Sequence, residues 1–174
     1  GGKFSEDKKI LDAGCGHGEF LTSCKNIRRY GIDASSVAVE LARTRFKTRE
    51  EAVIIECDVE KVSEVFGDVG FFDYISCIGV IEHSMNPKRS HDALMRMLKK
   101  DGVLLVLVPL VFDDCLGQLR NEPNQVTNER FATVDEWIGY FGWNPEYAEV
   151  LGSGISKDVA LVYRKHKDYI GARH

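Results

Sequence analysis

The sequence predicts an α/β fold: a doubly wound, mixed sheet with helices on both faces. Three observations carry that prediction. Short apolar or β-branched runs alternate with amphipathic helical patterns along most of the chain, which argues parallel strands joined by crossover helices. The first such run ends in "GCGHG" and passes straight into a helical pattern. The last two runs are separated only by Gly152–Asp158, which suits a hairpin, so one strand near the edge of the sheet should run antiparallel.

The elements follow in order. Lys9–Ala13 is a short strand closed by glycines. Glu19 to about Asn26 reads as a helix with Phe20, Leu21 and Cys24 on one face. Tyr30–Asp33 is the second strand. Ser35 suits the N-cap of a helix that turns Val37, Ala38 and Leu41 inward and Arg43, Arg45 and Lys47 outward. Ala52–Cys57 is β-branched and reads as a buried strand, followed by a short helix over Val59–Phe66. Phe72–Ile78 is the fourth strand. Pro87 or Ser90 opens a helix with Ala93, Leu94, Met97 and Leu98 inward, and Lys99-Lys100 near its C-terminal end, where the helix dipole favours cations. Asp101-Gly102 then turns the chain into "GVLLVLVP", the most hydrophobic strand. From Leu110 to Ala132 periodicity vanishes, and a loop of that length inside a compact domain is usually functional. Thr133-Val134-Asp135-Glu136 matches a capping box. Val134, Trp137, Ile138 and Phe141 take helical spacing after it, with the two aromatics as core, and Gly142 ends the helix. Strands near Tyr147–Leu151 and Val159–Arg164 close the pattern.

The bulk numbers set limits. A chain of 174 residues suits one domain, spanning 1–174. The net charge of −4 gives no general attraction to nucleic acid or anionic lipid. The longest apolar run, Val103–Phe112, is too short to span a bilayer, and nothing at the N-terminus reads as a secretory signal. The five cysteines, Cys15, Cys24, Cys57, Cys77 and Cys115, are odd in number and form no C-x-x-C. They read as reduced thiols of a cytoplasmic protein.

The glycine-rich turn locates a site. In doubly wound sheets ligands bind beyond the carboxyl ends of the strands, where the strand order reverses. Glycines there let backbone approach a ligand closely, and the helix that follows offers free N–H groups. Asp33 ends the second strand, where a carboxylate can accept from the vicinal hydroxyls of a ribose. Asp58 ends the third, placed to accept from the exocyclic amine of a purine. The dinucleotide fingerprint G-x-G-x-x-G fails, because Glu19 holds its sixth position.

An acid followed by G-x-G-x-G instead resembles the first motif of class I S-adenosylmethionine-dependent methyltransferases. The likeness covers nearly the whole chain: "ILDAGCGHGEFL", "YGIDASSVAVELAR", "IIECDVEKV", "FDYISCIGVIEHSMNP" and "LMRMLKKDGVLLVLVP" stand in the family's order and spacing, and "NERFATVDEWIGYFGW" is similar to the helix opening the C-terminal part of many small-molecule members. The resemblance implies a Rossmann-like seven-stranded sheet of order 3-2-1-4-5-7-6, with S-adenosyl-L-methionine as cofactor. It also implies roles. The backbone of Gly14, Gly16 and Gly18 would line the methionine portion, with Asp12 near its ammonium through water. Asp33 would hold the ribose, and Asp58 with the backbone of Val59 the adenine. The carbonyl of Ile78 would meet the ammonium. Cys15 and Ala34 complete the cofactor set.

For catalysis, Glu82 and His83 follow the fourth strand, and His83 is the candidate base. An alternative role for the pair is to cap and orient the next helix. Some relatives bind a metal through E-x-x-E-H here; this chain has Gly79 in place of the first acid, so no metal is expected. His17 reads as a contact or spacer, Asp113 and Asp114 as solvated loop residues, and Arg130 and Phe131 as candidate walls of the acceptor pocket. The expected acceptor is a small molecule, methylated on oxygen or nitrogen. The absence of an Asn/Asp-Pro-Pro-aromatic or Pro-Cys run after the fourth strand disfavours nucleobase methylation. "RTRFKTR" and "YRKHKDY" lack the aromatic interleaving of many RNA-binding surfaces. Two alternatives stand beside this reading: methylation of a protein or RNA, with Lys165 and Lys167 as contacts, and a non-catalytic cofactor-binding regulatory subunit. Only eight residues precede the first strand, so an N-terminal lid would be absent, removed, or supplied by a partner subunit or a second copy in a homodimer.

Overall fold

The computed structural model describes residues 7–46, 48, 50–67, 70–110, 132–153 and 156–166. The chain runs β1 (Lys9–Ala13), α1 (Glu19–Ser23), β2 (Arg28–Asp33), α2 (Ser36–Arg45), β3 (Val53–Glu56), a 3-10 turn (Val59–Lys61), α3 (Val62–Phe66) and β4 (Phe72–Ile78). A second 3-10 turn (Ile81–His83), α4 (Pro87–Met97), β5 (Leu98–Pro109), α5 (Val134–Phe141), β6 (Tyr147–Ser153) and β7 (Ser156–Arg164) follow. The sheet has the order β3-β2-β1-β4-β5-β7-β6. β1 to β5 are mutually parallel and β7 runs antiparallel to both neighbours, as the sequence predicts. Alternation along β1 feeds both faces. Ile10 joins one apolar cluster with Leu21, Val39, Ala42 and Phe46, while Leu11 and Ala13 join the other with Leu94, Leu104, Trp137 and Phe141. The order reverses between β1 and β4, which puts the switch point above the glycine turn.

Four local expectations are corrected. Helix α1 is shorter than its pattern, ending at Ser23, because the chain turns at Asn26, which adopts a left-handed φ of 59°. Its Phe20 is exposed, while Leu21 and Cys24 are buried. On α2 the buried stripe is Val39 and Ala42, continued by Phe46, whereas Val37 is 68% and Leu41 45% exposed. Both stripes have helical spacing. The second wins because Phe46 brings a large apolar ring to the end of it and Ala42 is small enough to allow close approach. Arg43 is not simply solvated: its guanidinium donates to the Ile54 carbonyl of β3 at 3.2 and 3.0 Å. Lys47 lies outside the described residues.

Lys99 and Lys100 belong to β5 rather than to the end of α4, since Leu98 is already extended and pairs with Phe72. The cation that caps α4 is Lys165, whose Nζ donates to the carbonyls of Arg96 (3.0 Å) and Leu98 (2.7 Å). Burial holds its pKa below the ordinary lysine value. Strand β7 lies between β5 and β6. Lys165 is therefore a structural residue and not a surface contact for RNA; Lys167 lies outside the described residues. Lys165→Met should lower unfolding free energy by about 1–3 kcal/mol, read from urea denaturation.

Helix α5 begins with the expected capping box, with Glu136 N donating to Thr133 Oγ1 (3.3 Å) and Thr133 N to Glu136 Oε2 (2.8 Å). Trp137 and Phe141 are core, as predicted, and the Trp137 indole N–H donates to the Pro109 carbonyl at 2.9 Å. A parallel bridge joins Leu110 to Ala132. Asp113, Asp114, Cys115, Arg130 and Phe131 lie outside the described residues. Among the described residues no helix is long and apolar enough to cross a membrane.

Candidate cofactor cleft

A cleft of about 630 Å³ opens at the carboxyl ends of β1 to β4, and a recess of about 410 Å³ adjoins it across Gly14 and Gly16. Gly14 and Gly16 have φ of 79° and 50°, left-handed values that favour glycine. A Cβ on Gly14 would collide with Val80, so only bare backbone fits there. A Cβ on Gly16 would meet nothing within 4 Å, so this part of the turn faces open space. The amides of Gly14 and Cys15 both donate to the Ile32 carbonyl, at 2.8 and 2.9 Å, which ties the turn to β2.

Asp33 ends β2 and organises the turn from the other side. Its Oδ2 accepts from Gly16 N at 2.9 Å and its Oδ1 from Ser35 N at 2.8 Å. A carboxylate oxygen can accept more than once, so each still has capacity for a hydroxyl in the cleft that Asp33 lines with Ala34, Asp58 and Val59. Asp58 is both a cap and a wall. Its Oδ1 accepts from Glu60 N at 2.8 Å, starting the 3-10 turn, while the residue lines the cleft.

The recess holds the other part of the expected set: Asp12, Cys15 and Ile78, with His17, Glu19 and Phe20. Asp12 is only 4% exposed, and its Oδ1 accepts from Ser76 Oγ at 2.8 Å. Burial pushes its pKa up to about 6, the Asp33 charge adds to the rise, and the Ser76 hydrogen bond opposes it. Burial, together with the Asp12 and Asp33 charges, lifts the Cys15 thiol to about 12, so Cys15 is no nucleophile. Gly18 departs from expectation. It is buried, lines neither space, and caps α1 at φ 77° beneath Phe46, where a Cβ would lie 2.7 Å from the ring.

The 3-10 turn after β4 separates the two residues that the sequence offers for catalysis. Ile81 and Glu82 turn inward and are buried, while His83 is exposed and lines the cleft. Gly79 has φ 66°, so a left-handed turn stands where metal-binding relatives would place an acid. Among the described residues no group of three or more His, Cys, Asp or Glu is gathered as metal ligands. Residues that the sequence did not single out also line the cleft: Glu60, Val80, Ser84, Met85 and Ser90. Met85, 86% exposed in a polar turn, had a signal as an isolated apolar residue; the serines had none.

A bare-backbone turn flanked by carboxylates on two strand ends fits an adenosyl sulfonium with a methionine tail. Comparison with known proteins agrees. The model of a family described as the methyltransferase domain matches residues 11–106, more than half of the chain. The chain belongs to that family, whose cofactor is S-adenosyl-L-methionine. It is similar to the ubiquinone biosynthesis O-methyltransferase of Glaesserella parasuis, 29% identical over 106 residues, covering 57% of this chain and 44% of that protein. The chain thus spans less than half the length of that relative. Among solved structures it is similar to the PH0226 protein of Pyrococcus horikoshii, with TM-score 0.73 and 23% identity over 90% of this chain and 81% of that one. It is also similar to the cyclase SpnF, with TM-score 0.74 and 14% identity over 93% and 76% of the two chains. These two likenesses concern the fold alone.

Asp12 gives the cofactor site a pH dependence. Above about pH 6 it is a carboxylate on the wall of the recess where the sequence reading expects the ammonium of the cofactor, and below it is neutral. Affinity for S-adenosylhomocysteine should therefore rise as pH rises through about 6 and level off above, and Asp12→Asn should flatten that step in calorimetry. The sign for stability is opposite. A folded-state pKa above the unfolded value of 3.8 means the unfolded chain holds fewer protons between pH 4 and 6. Stability should fall across that window, by about 3 kcal/mol, and Asp12→Asn should melt higher at neutral pH.

Proposed function

We propose that this domain transfers a methyl group from S-adenosylmethionine to an oxygen or nitrogen of a small-molecule acceptor. The observation that carries the reading is the placement of His83 on the wall of the cleft that Gly14, Gly16 and Asp33 also line. The name of the Glaesserella relative, an O-methyltransferase, supports a small hydroxyl-bearing acceptor. When bound, the cofactor supplies an electrophilic methyl on a sulfonium. The chain's own residues do the rest. Asp33 holds the sugar and so fixes the depth of the cofactor in the cleft. Gly14 and Gly16 admit it to the backbone, and Asp12 sets the charge at its amino end. His83 is exposed to the cleft and can take the hydroxyl proton as the acceptor becomes nucleophilic. Holding acceptor and methyl in line is the larger part of the work, because the leaving group is already good.

Labelled methyl from S-adenosylmethionine should appear in a phenol or amine from a panel of small acceptors, with undiminished rate in the presence of a chelator. Transfer to RNA or protein alone, or activity abolished by chelation and restored by a divalent metal, would overturn the reading.

A further inference from the structure

The end of the sheet opposite the cofactor cleft carries a second cavity, of about 230 Å³, between the last turn of α4, the segment joining α5 to β6, and the end of β7. Tyr163 and Arg164 line it, paired with Leu104 and Val103 of β5 and so far from the carboxyl ends where the cleft opens. Met95 and Trp143 complete its apolar walls. The Trp143 indole N–H donates to Asp92 Oδ1 at 3.3 Å, which ties that ring to α4. At the rim Glu146 bridges Arg164 Nε at 3.1 Å and His166 Nε2 at 3.0 Å. Tyr163 sets the cavity apart from an ordinary surface hollow. It is 2% exposed, and its hydroxyl is buried with no hydrogen-bond partner among the described residues. Beside it lies His91 of α4, wholly buried, edge-on to Tyr163 with centroids 4.5 Å apart and stacked on Phe141 at 4.9 Å. Neither His91 ring nitrogen has a partner among the described residues. Asp92 Oδ1 is 3.9 Å from Nδ1, too far for a hydrogen bond. Buried polar atoms are normally paired, and each one left alone is costly. Apolar residues at both positions would avoid that cost.

We propose that this cavity is a second small-molecule site, whose ligand is a neutral single-ring aromatic compound bearing a hydroxyl that pairs with Tyr163. Size, lining and charge select that class. An apolar cavity of about 150 Å³ already holds benzene, so this one accommodates a substituted ring. Trp143 and the Met95 thioether are side chains that favour contact with an aromatic ring. A ligand hydroxyl both donates and accepts, so it satisfies the Tyr163 hydroxyl whichever way that proton turns. A charged ligand gains little, because Glu146, Arg164 and His166 at the rim already pair with one another. Water alone would satisfy the hydroxyl but would leave the apolar walls wet. The site stands independently of what fills the cofactor cleft.

The three methionines make the test site-specific, because Met85 lines the cleft, Met95 lines this cavity and Met97 is in the core. Protein isotopically labelled at the methionine methyls is titrated with p-cresol and with toluene and followed by NMR. In the wild type p-cresol should shift the Met95 methyl saturably and bind there about tenfold more tightly than toluene. Tyr163→Phe removes only the orphaned hydroxyl, so it should fold as the wild type does by circular dichroism. It should bring p-cresol down to the affinity of toluene and leave toluene unchanged. Trp143→Leu should weaken both. A titration with no saturable shift at Met95, or with a shift at Met85 alone, overturns the site. Equal affinities of the two compounds in the wild type, or a Tyr163→Phe variant that keeps the preference for p-cresol, overturns the hydroxyl contact and with it the proposed ligand class.

Discussion

Replacing Asp33 by alanine is expected to weaken S-adenosylhomocysteine binding by at least about 100-fold. Asp33 accepts Gly16 N and Ser35 N, at 2.9 and 2.8 Å, and lines the cleft with acceptor capacity to spare. Two hydroxyl hydrogen bonds to a charged acceptor contribute about 1.5–3 kcal/mol each, which is a loss of two orders of magnitude or more in affinity. Alanine also removes the acceptor that holds the Gly16 amide, so the glycine turn loosens as well. Asp33→Asn keeps one acceptor and should lose less. Calorimetry of both variants checks this, and an alanine variant with unaltered affinity would contradict the placement of the ribose.

The second large effect falls on turnover. His83→Ala should reduce kcat for a phenolic acceptor by about 10²–10⁴-fold, the usual contribution of a positioned general base, while cofactor affinity changes only a few-fold. The split matters, because His83 is exposed to the cleft, whereas it is Asp33 that holds the Gly16 amide of the glycine turn. Glu82 provides the contrast. It is buried beside the core residue Ile81, and its substitution should lower thermal stability before it alters the chemistry. An alanine variant at His83 with wild-type turnover would remove it from the reaction.

The two large predictions also show where the sequence was legible. Asp33 stands at the end of β2 and on the cleft wall, where its sequence position after a glycine turn put it. The mixed sheet with one antiparallel strand followed from the alternation of periods and one short hairpin, and its strand order from the family resemblance. The buried face of α2 was misread because a pattern shows that a helix has a face, not which partner wins it. Phe46, outside the helix, decides it, lying over Gly18 and in one apolar cluster with Val39 and Ala42. Lys165 was misread because a lysine near a strand end looks solvated until the carbonyls it caps, from a helix far away in sequence, are in place. Ser84 and Ser90 were not read as part of the cleft wall, because small polar residues carry no period and their place depends on which loops the topology brings together.

The central claim is that the ribose of an adenosyl ligand rests on the carboxylate closing β2. A crystal structure with S-adenosylhomocysteine bound tests it most directly. Both sugar hydroxyls should lie within hydrogen-bonding distance of the Asp33 oxygens, with the amino acid end in the recess beside Asp12. A ligand seated elsewhere, or seated in the cleft with its sugar turned away from Asp33, would contradict the account.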